Sequence, residues 1–205
     1  MKKQVFYIHG GEPFDSYESF VNDLKNKTLW APTGEVSKTW YQSLRDDLGG
    51  DYEMFSPQMP NKQNAKYEEW KIWFERHFEY VRDDVIFVGW SLGGIFLAKY
   101  LIENETPFTI RSLFLLAPPF VDGRLHEESG KSCEDFGTDI TNIKELQNRV
   151  SKIIILHSKD DFAVPYEQAL MYKEALPEAE LITLEDKNHF LVEELPELVE
   201  LIKNT

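Results

Sequence analysis

Short apolar runs alternate with amphipathic segments along the whole chain. Val5 to Ile8, Tyr52 to Phe55, Val85 to Val88, Ser112 to Leu116, Lys152 to Leu156 and Glu180 to Leu184 are short and rich in β-branched or aromatic residues, a pattern that predicts six strands. The stretches between them carry apolar residues three and four apart. They predict helices over Ser37 to Leu48, Ala65 to Val81, Leu92 to Asn104, Ile140 to Val150, Tyr166 to Ala175 and Val192 to Ile202. Within the second of these, Trp70, Trp73, Phe74 and Phe78 hold i, i+3, i+4 spacing and are expected to face the core. Strand-helix-strand alternation makes successive strands parallel through right-handed crossovers. The expected fold is a three-layer α/β sandwich, a mostly parallel sheet of about six strands with helices on both faces.

No Gly/Ser linker, repeat or low-complexity tract breaks this alternation, so residues 1–205 are expected to form one domain. The stretch between the fourth and fifth strands is too short for a separate cap domain; only about twenty irregular residues, Ala117 to Thr138, are available as a cover. Composition narrows the function classes. With 42% hydrophobic and 14% aromatic residues the chain is not a disordered one. Its net charge of -14 repels phosphate backbones and anionic lipid, which speaks against nucleic acid and membrane partners. The single cysteine, Cys133, has no disulfide partner in the chain and no metal-type spacing around it, as expected in a reducing, cytoplasmic setting. Lys2-Lys3 precede an apolar run, but that run ends at His9-Gly10-Gly11, short of the ~7–15 residues of a secretory h-region. No stretch approaches the ~18 apolar residues of a membrane span.

Ligands of open α/β sheets bind beyond the carboxyl ends of the strands, so the residues just after each run are the ones to read for chemistry. After the third run stands Gly89-Trp90-Ser91-Leu92-Gly93. A G-x-S-x-G turn between a strand and a helix holds its serine on a tight bend with the hydroxyl exposed, which makes Ser91 the candidate nucleophile. After the first run comes His9-Gly10-Gly11-Glu12-Pro13. Backbone N–H groups of this turn suit an oxyanion hole, one donor being Leu92 N–H and the second Gly11 or, as the close alternative, Glu12. His9 itself reads as a structural hydrogen-bonder. After the fifth run His157-Ser158-Lys159-Asp160-Asp161 offers a carboxylate able to orient an imidazole, and after the sixth Asp186-Lys187-Asn188-His189 places a histidine in a loop before the last helix. The order Ser, Asp, His is the one that accompanies this elbow, with His189 as the base.

These residues, together with Pro57-Gln58-Met59-Pro60, Tyr67-Glu68-Glu69-Trp70, Ala117-Pro118-Pro119-Phe120 and the Asp-Asp-x-x-Val-Pro and Asn-His-Phe stretches, resemble the α/β-hydrolase family over essentially the whole length. Within it they resemble the compact serine hydrolases typified by retinoblastoma-binding protein 9 and the bacterial YdeN-type proteins. The resemblance implies a minimal α/β-hydrolase fold without a cap, and a triad of Ser91, Asp161 and His189. It selects Asp161, four residues before the proline, over Asp160. Asp160 is then expected to face solvent or to cap the following helix. Trp90 departs from the resembling pattern, which often has histidine before the serine.

His77, His126 and His157 lack the spacing of metal ligands and read as structural, so neither metal nor cofactor is expected. Trp30, Trp40, Tyr41 and the run from Phe120 through Phe136 either cover the core or line an acyl pocket. The function expected is hydrolysis of small carboxylic esters, or of thioesters or amides, through an acyl-enzyme. The competing reading is a protein-interaction module that keeps the fold, with an unknown protein partner.

Overall fold

The computed structural model describes residues 1–28, 38–122 and 132–205. Six strands form one wholly parallel sheet: β1 (Lys3–Ile8), β2 (Tyr52–Phe55), β3 (Val85–Trp90), β4 (Ile110–Leu116), β5 (Val150–Ser158) and β6 (Glu180–Leu184), in the order β2-β1-β3-β4-β5-β6. The chain goes outward from β1 to β2 and then returns to add β3 on the other side of β1. That reversal opens a crevice beyond the carboxyl ends of β1 and β3, where α/β sheets of this kind hold their ligands.

Helices α1 (Tyr17–Asn26), α2 (Trp40–Leu48), α3 (Tyr67–Glu75), α4 (Leu92–Glu103), α5 (Glu145–Arg149) and α6 (Glu167–Ala175) lie between the strands, and α7 (Pro196–Lys203) follows the last of them. Successive strand side chains point to opposite faces. Phe6, Ile8, Val85 and Phe87 accordingly join a core with Trp70, Phe74, Phe96 and Tyr172 from α3, α4 and α6. Val5, Tyr7, Ile86 and Val88 join a second core with Trp40, Leu44, Leu198 and Ile202 from α2 and α7. Both faces of the sheet are covered, so the central strands are buried throughout and read as continuous apolar runs.

All six strands expected from the apolar runs are present. The helices differ in their limits. The segment 65–81 is α3 followed by a separate 3-10 turn at Phe78–Tyr80, and the seam against α4 runs through Trp70 and Phe74 and on to Phe78, whose ring meets Tyr100. Trp73, expected in the core, is instead 38% exposed, with the Arg76 guanidinium over its ring. The expected helix over 140–150 is a 3-10 turn at Ile140–Asn142 and the short α5, and Val150 already begins β5. The expected start of α2 at Ser37 lies outside the described residues, as do Trp30 and His126; within them Thr39 precedes the helix, and its N–H donates to Gln42 Oε1 at 2.9 Å. Helix α1 was not expected. Among the described residues no helix is long and apolar enough to cross a membrane.

Candidate active site

The turn from β3 into α4 is tight. Gly89 and Gly93 stand where no side chain fits: a Cβ on Gly89 would sit 2.6 Å from the Gly93 carbonyl oxygen, and one on Gly93 would run into the Ile8 carbonyl and lie 2.7 Å from that of His9. Ser91 between them has φ 53° and ψ -120°. A non-glycine residue held in such a region costs on the order of 1–3 kcal/mol. The surroundings impose it: Ser91 N–H donates to Leu116 O at 2.8 Å, and its carbonyl accepts Gly94 N–H at 2.8 Å. The side chain opens into a cleft of about 640 Å³ whose lining includes the Gly10–Pro13 turn, Trp90, Leu92, Pro119, Cys133, Val164 and His189.

The turn after β1 is strapped to the segment before α3. Glu12 N–H donates to Lys62 O at 2.7 Å, and Ala65 N–H donates to Glu12 O at 3.1 Å. The Glu12 amide expected as the alternative oxyanion donor is therefore engaged. The N–H groups of Gly11 and Leu92 have no acceptor among the described residues. Gly11 is required by space, as a Cβ there would meet Lys62 O at 2.9 Å. His9 accepts Met59 N–H on Nε2 at 2.9 Å, so its Nδ1 carries the hydrogen donated to Gly10 O at 2.6 Å. Desolvation lowers the pKa of His9, opposed by its bond to Gly10 and assisted by Lys62, and the ring is a neutral strut of this turn.

Beyond β5, Asp161 is buried with four donors on its carboxylate. Oδ1 accepts the N–H groups of Ala163 and Val164 at 2.8 and 2.9 Å. Oδ2 lies 2.8 Å from His189 Nδ1 and 3.3 Å from His157 Nε2. Burial by itself pushes this carboxyl up. The hydrogen bonds from His157 and His189, the His189 charge and Val164 N–H outweigh that and hold it well below the usual carboxylate range. Asp160 is exposed as expected but caps no helix, since the residue before α6 is Tyr166. Its carboxylate instead accepts the Ser158 hydroxyl and, at 3.2 Å, the N–H of Asn188, holding its pKa down and tying the β5 end to the loop before His189.

That loop is bent by three non-glycine residues with positive φ, Asp186, Asn188 and Phe190. Two indoles hold it from the far side. Trp90 Nε1 donates to His189 O at 3.1 Å and Trp40 Nε1 to Phe190 O at 3.0 Å. The Trp90 ring also rests against the His189 imidazole, with centroids 5.7 Å apart. Trp40 and Tyr41 thus cover the core and brace the loop, and neither lines the cleft.

Sequence reasoning missed the second histidine on Asp161, the Asp160 anchor and the two indole donors. A polar residue continuing the apolar run Ile153 to Leu156 was the available sign for His157, because a buried imidazole needs a partner. Among the described residues no cluster of three or more His, Cys, Asp or Glu side chains is placed to hold a metal ion.

Comparison with known proteins agrees with this fold. The YdeN gene product of B. subtilis superposes with a TM-score of 0.74 at 19% identity, covering 99% of this chain and 98% of that one. The meta-cleavage product hydrolase CumD of Pseudomonas fluorescens IP01 gives 0.66 at 14% identity over 98% of this chain and 89% of that one. A thioesterase domain from the curacin biosynthetic pathway gives 0.65 at 11% identity, covering 100% and 92%. At these identities the likeness speaks for the fold alone. No curated protein sequence matches the chain. The serine hydrolase family model matches residues 33–200, and the chain is an α/β-hydrolase-fold enzyme of the serine hydrolase family.

Proposed function

We propose that this enzyme hydrolyses small carboxylic esters through Ser91, His189 and Asp161, by way of an acyl-enzyme. The observation that carries the reading is the 2.8 Å contact of Asp161 Oδ2 with His189 Nδ1 at the wall of the cleft into which the strained Ser91 opens. Asp161 accepts the Nδ1 hydrogen, which leaves Nε2 of His189 as the base.

In the first half-reaction Ser91 Oγ attacks the ester carbonyl carbon as Nε2 of His189 takes its proton. The oxyanion forms against the N–H groups of Leu92 and Gly11. The carbon–oxygen bond to the leaving alcohol then breaks, and His189 returns the proton to that oxygen. Water attacks the acyl-Ser91 carbonyl in the second half, again giving its proton to His189, and Ser91 leaves with it. Substrate and water balance every step. Thioesters and small amides pass through the same tetrahedral species. The unit performing this chemistry is one domain, residues 1–205, since β1, β3, β5 and β6 of one sheet each supply a part.

The test is reaction with a fluorophosphonate probe and a short p-nitrophenyl ester. Label is expected on Ser91, and Ser91→Ala is expected to lose at least about 10⁴-fold in turnover while staying folded, since triads act as units. Label that persists in Ser91→Ala overturns the assignment.

A further inference from the structure

His157 is fully buried at the end of β5. Its Nε2 faces Val164 O at 2.9 Å and Asp161 Oδ2 at 3.3 Å. A carbonyl and a carboxylate are both acceptors, so the hydrogen of His157 sits on Nε2 and is directed between them. Nδ1 of the same ring has no hydrogen-bond partner among the described residues. Leaving a buried polar atom unpaired costs on the order of 1–3 kcal/mol. An apolar side chain would fill the space without that cost, so the packing of β5 against α6 does not by itself explain an imidazole here.

The explanation lies in what the ring touches. Asp161 has one oxygen held by two backbone N–H groups of its own turn, while the other meets, among the described residues, only the two histidines. His189 is the mobile partner of that oxygen, because it takes up and releases a proton twice in each turnover of the proposed cycle. His157 is fixed, wedged edge-on to Tyr166 and bonded to Val164 O. A carboxylate that meets one donor able to move and one that cannot keeps its plane when the first shifts.

We propose that His157 is a positioning residue that acts through Asp161, holding the carboxylate in the orientation that aims His189 at Ser91. This rests on the triad reading above, and His157 itself touches neither substrate nor reacting atoms.

The experiment compares His157→Gln, whose amide nitrogen reaches the place of the ring Nε2, with His157→Leu, which fills the space without a donor. Each is also made with Asp161→Asn, and kcat and KM for a short ester are measured beside the rate of fluorophosphonate labelling. His157→Leu is expected to lower kcat by about 10- to 100-fold, the range seen when a partner that orients an active group is removed, with KM changed less than about threefold. His157→Gln is expected to restore most of the loss. In the Asp161→Asn background His157→Leu is expected to cost less than about twofold more, because the group it acts through is already disabled.

Wild-type kcat in His157→Leu, or the same loss with and without Asp161→Asn, overturns the proposal and marks His157 as packing alone. Should His157→Leu fail to fold, Gln is compared with Asn, whose amide stops one methylene short. Equal activity of the two then overturns it. Wild-type protein that takes no label at Ser91 overturns the triad reading and this inference together, whereas label at an unchanged rate in His157→Leu overturns this inference only.

Discussion

Asp160 and Asp161 are neighbours in the chain with opposite surroundings, and the difference lies in what each carboxylate meets. Asp161 points inward onto two imidazoles and two amides, and Asp160 points outward onto a hydroxyl and an amide of the next loop. Asp161→Asn removes the acceptor that fixes the His189 tautomer and is expected to lower kcat by about 10⁴-fold. Asp160→Asn keeps an oxygen for Asn188 N–H and is expected to lose less than about tenfold, so one set of ester kinetics ranks the two. Asp161 also gives stability a pH signature. Its folded pKa lies below the unfolded value of about 3.9, so its contribution is complete above that value and disappears as the pH falls toward the folded one. The difference in urea unfolding free energy between wild type and Asp161→Asn is expected to shrink from about pH 5 to about pH 2.

Elements differ in how much of them the sequence reveals. The central strands were legible because a strand covered on both faces must be apolar along its length, and the elbow was legible because only glycine fits at 89 and 93. Gly93→Ala drives a methyl group into the Ile8 carbonyl, and backbone cannot step aside as a side chain would. It is expected to destabilise the protein by about 1–3 kcal/mol or more, read as a lower urea midpoint, with labelling of Ser91 reduced in the fraction that folds. Helix α1 was equally visible, with Ser16 capping Ser19 N–H and the stripe Tyr17, Phe20, Val21, Leu24 at i, i+3, i+4, i+7. It buries none of its residues, so its stripe contributes to neither core of the sheet. The bracing of the His189 loop was not legible at all. Nothing local tells that the indoles of Trp40 and Trp90 donate to carbonyls 150 and 99 residues away, and propensity says nothing of three non-glycine residues with positive φ. The engagement of the Glu12 amide by the Lys62 carbonyl was likewise out of reach of the local sequence.

At the scale of the whole molecule, the cleft stands where strand order reverses, and its size and field bear on substrate choice. About 640 Å³ accommodates a small ester, with Phe162 and Leu191 at its rim 72% and 59% exposed. Esters of short acyl chains are expected to have the highest kcat/KM in a series from two to sixteen carbons, and a maximum at the long end would show a groove rather than a pocket. The charge of -14 is expected to disfavour a carboxylate-bearing analogue, and added salt to narrow that gap through screening. The placement of Ser91 has a consequence in time as well. Its strained backbone is imposed by the Leu116 carbonyl from β4 and by the crowding of Gly93 onto β1, and His189 reaches the cleft only from the loop after β6. A chain emerging from synthesis passes position 91 before β4, β5, β6 and the His189 loop have been made, and contacts between residues so far apart close late. On the proposed triad, Ser91 is therefore an ordinary serine hydroxyl for as long as the sheet is unfinished, and reactivity toward a fluorophosphonate is expected to appear only with the folded chain.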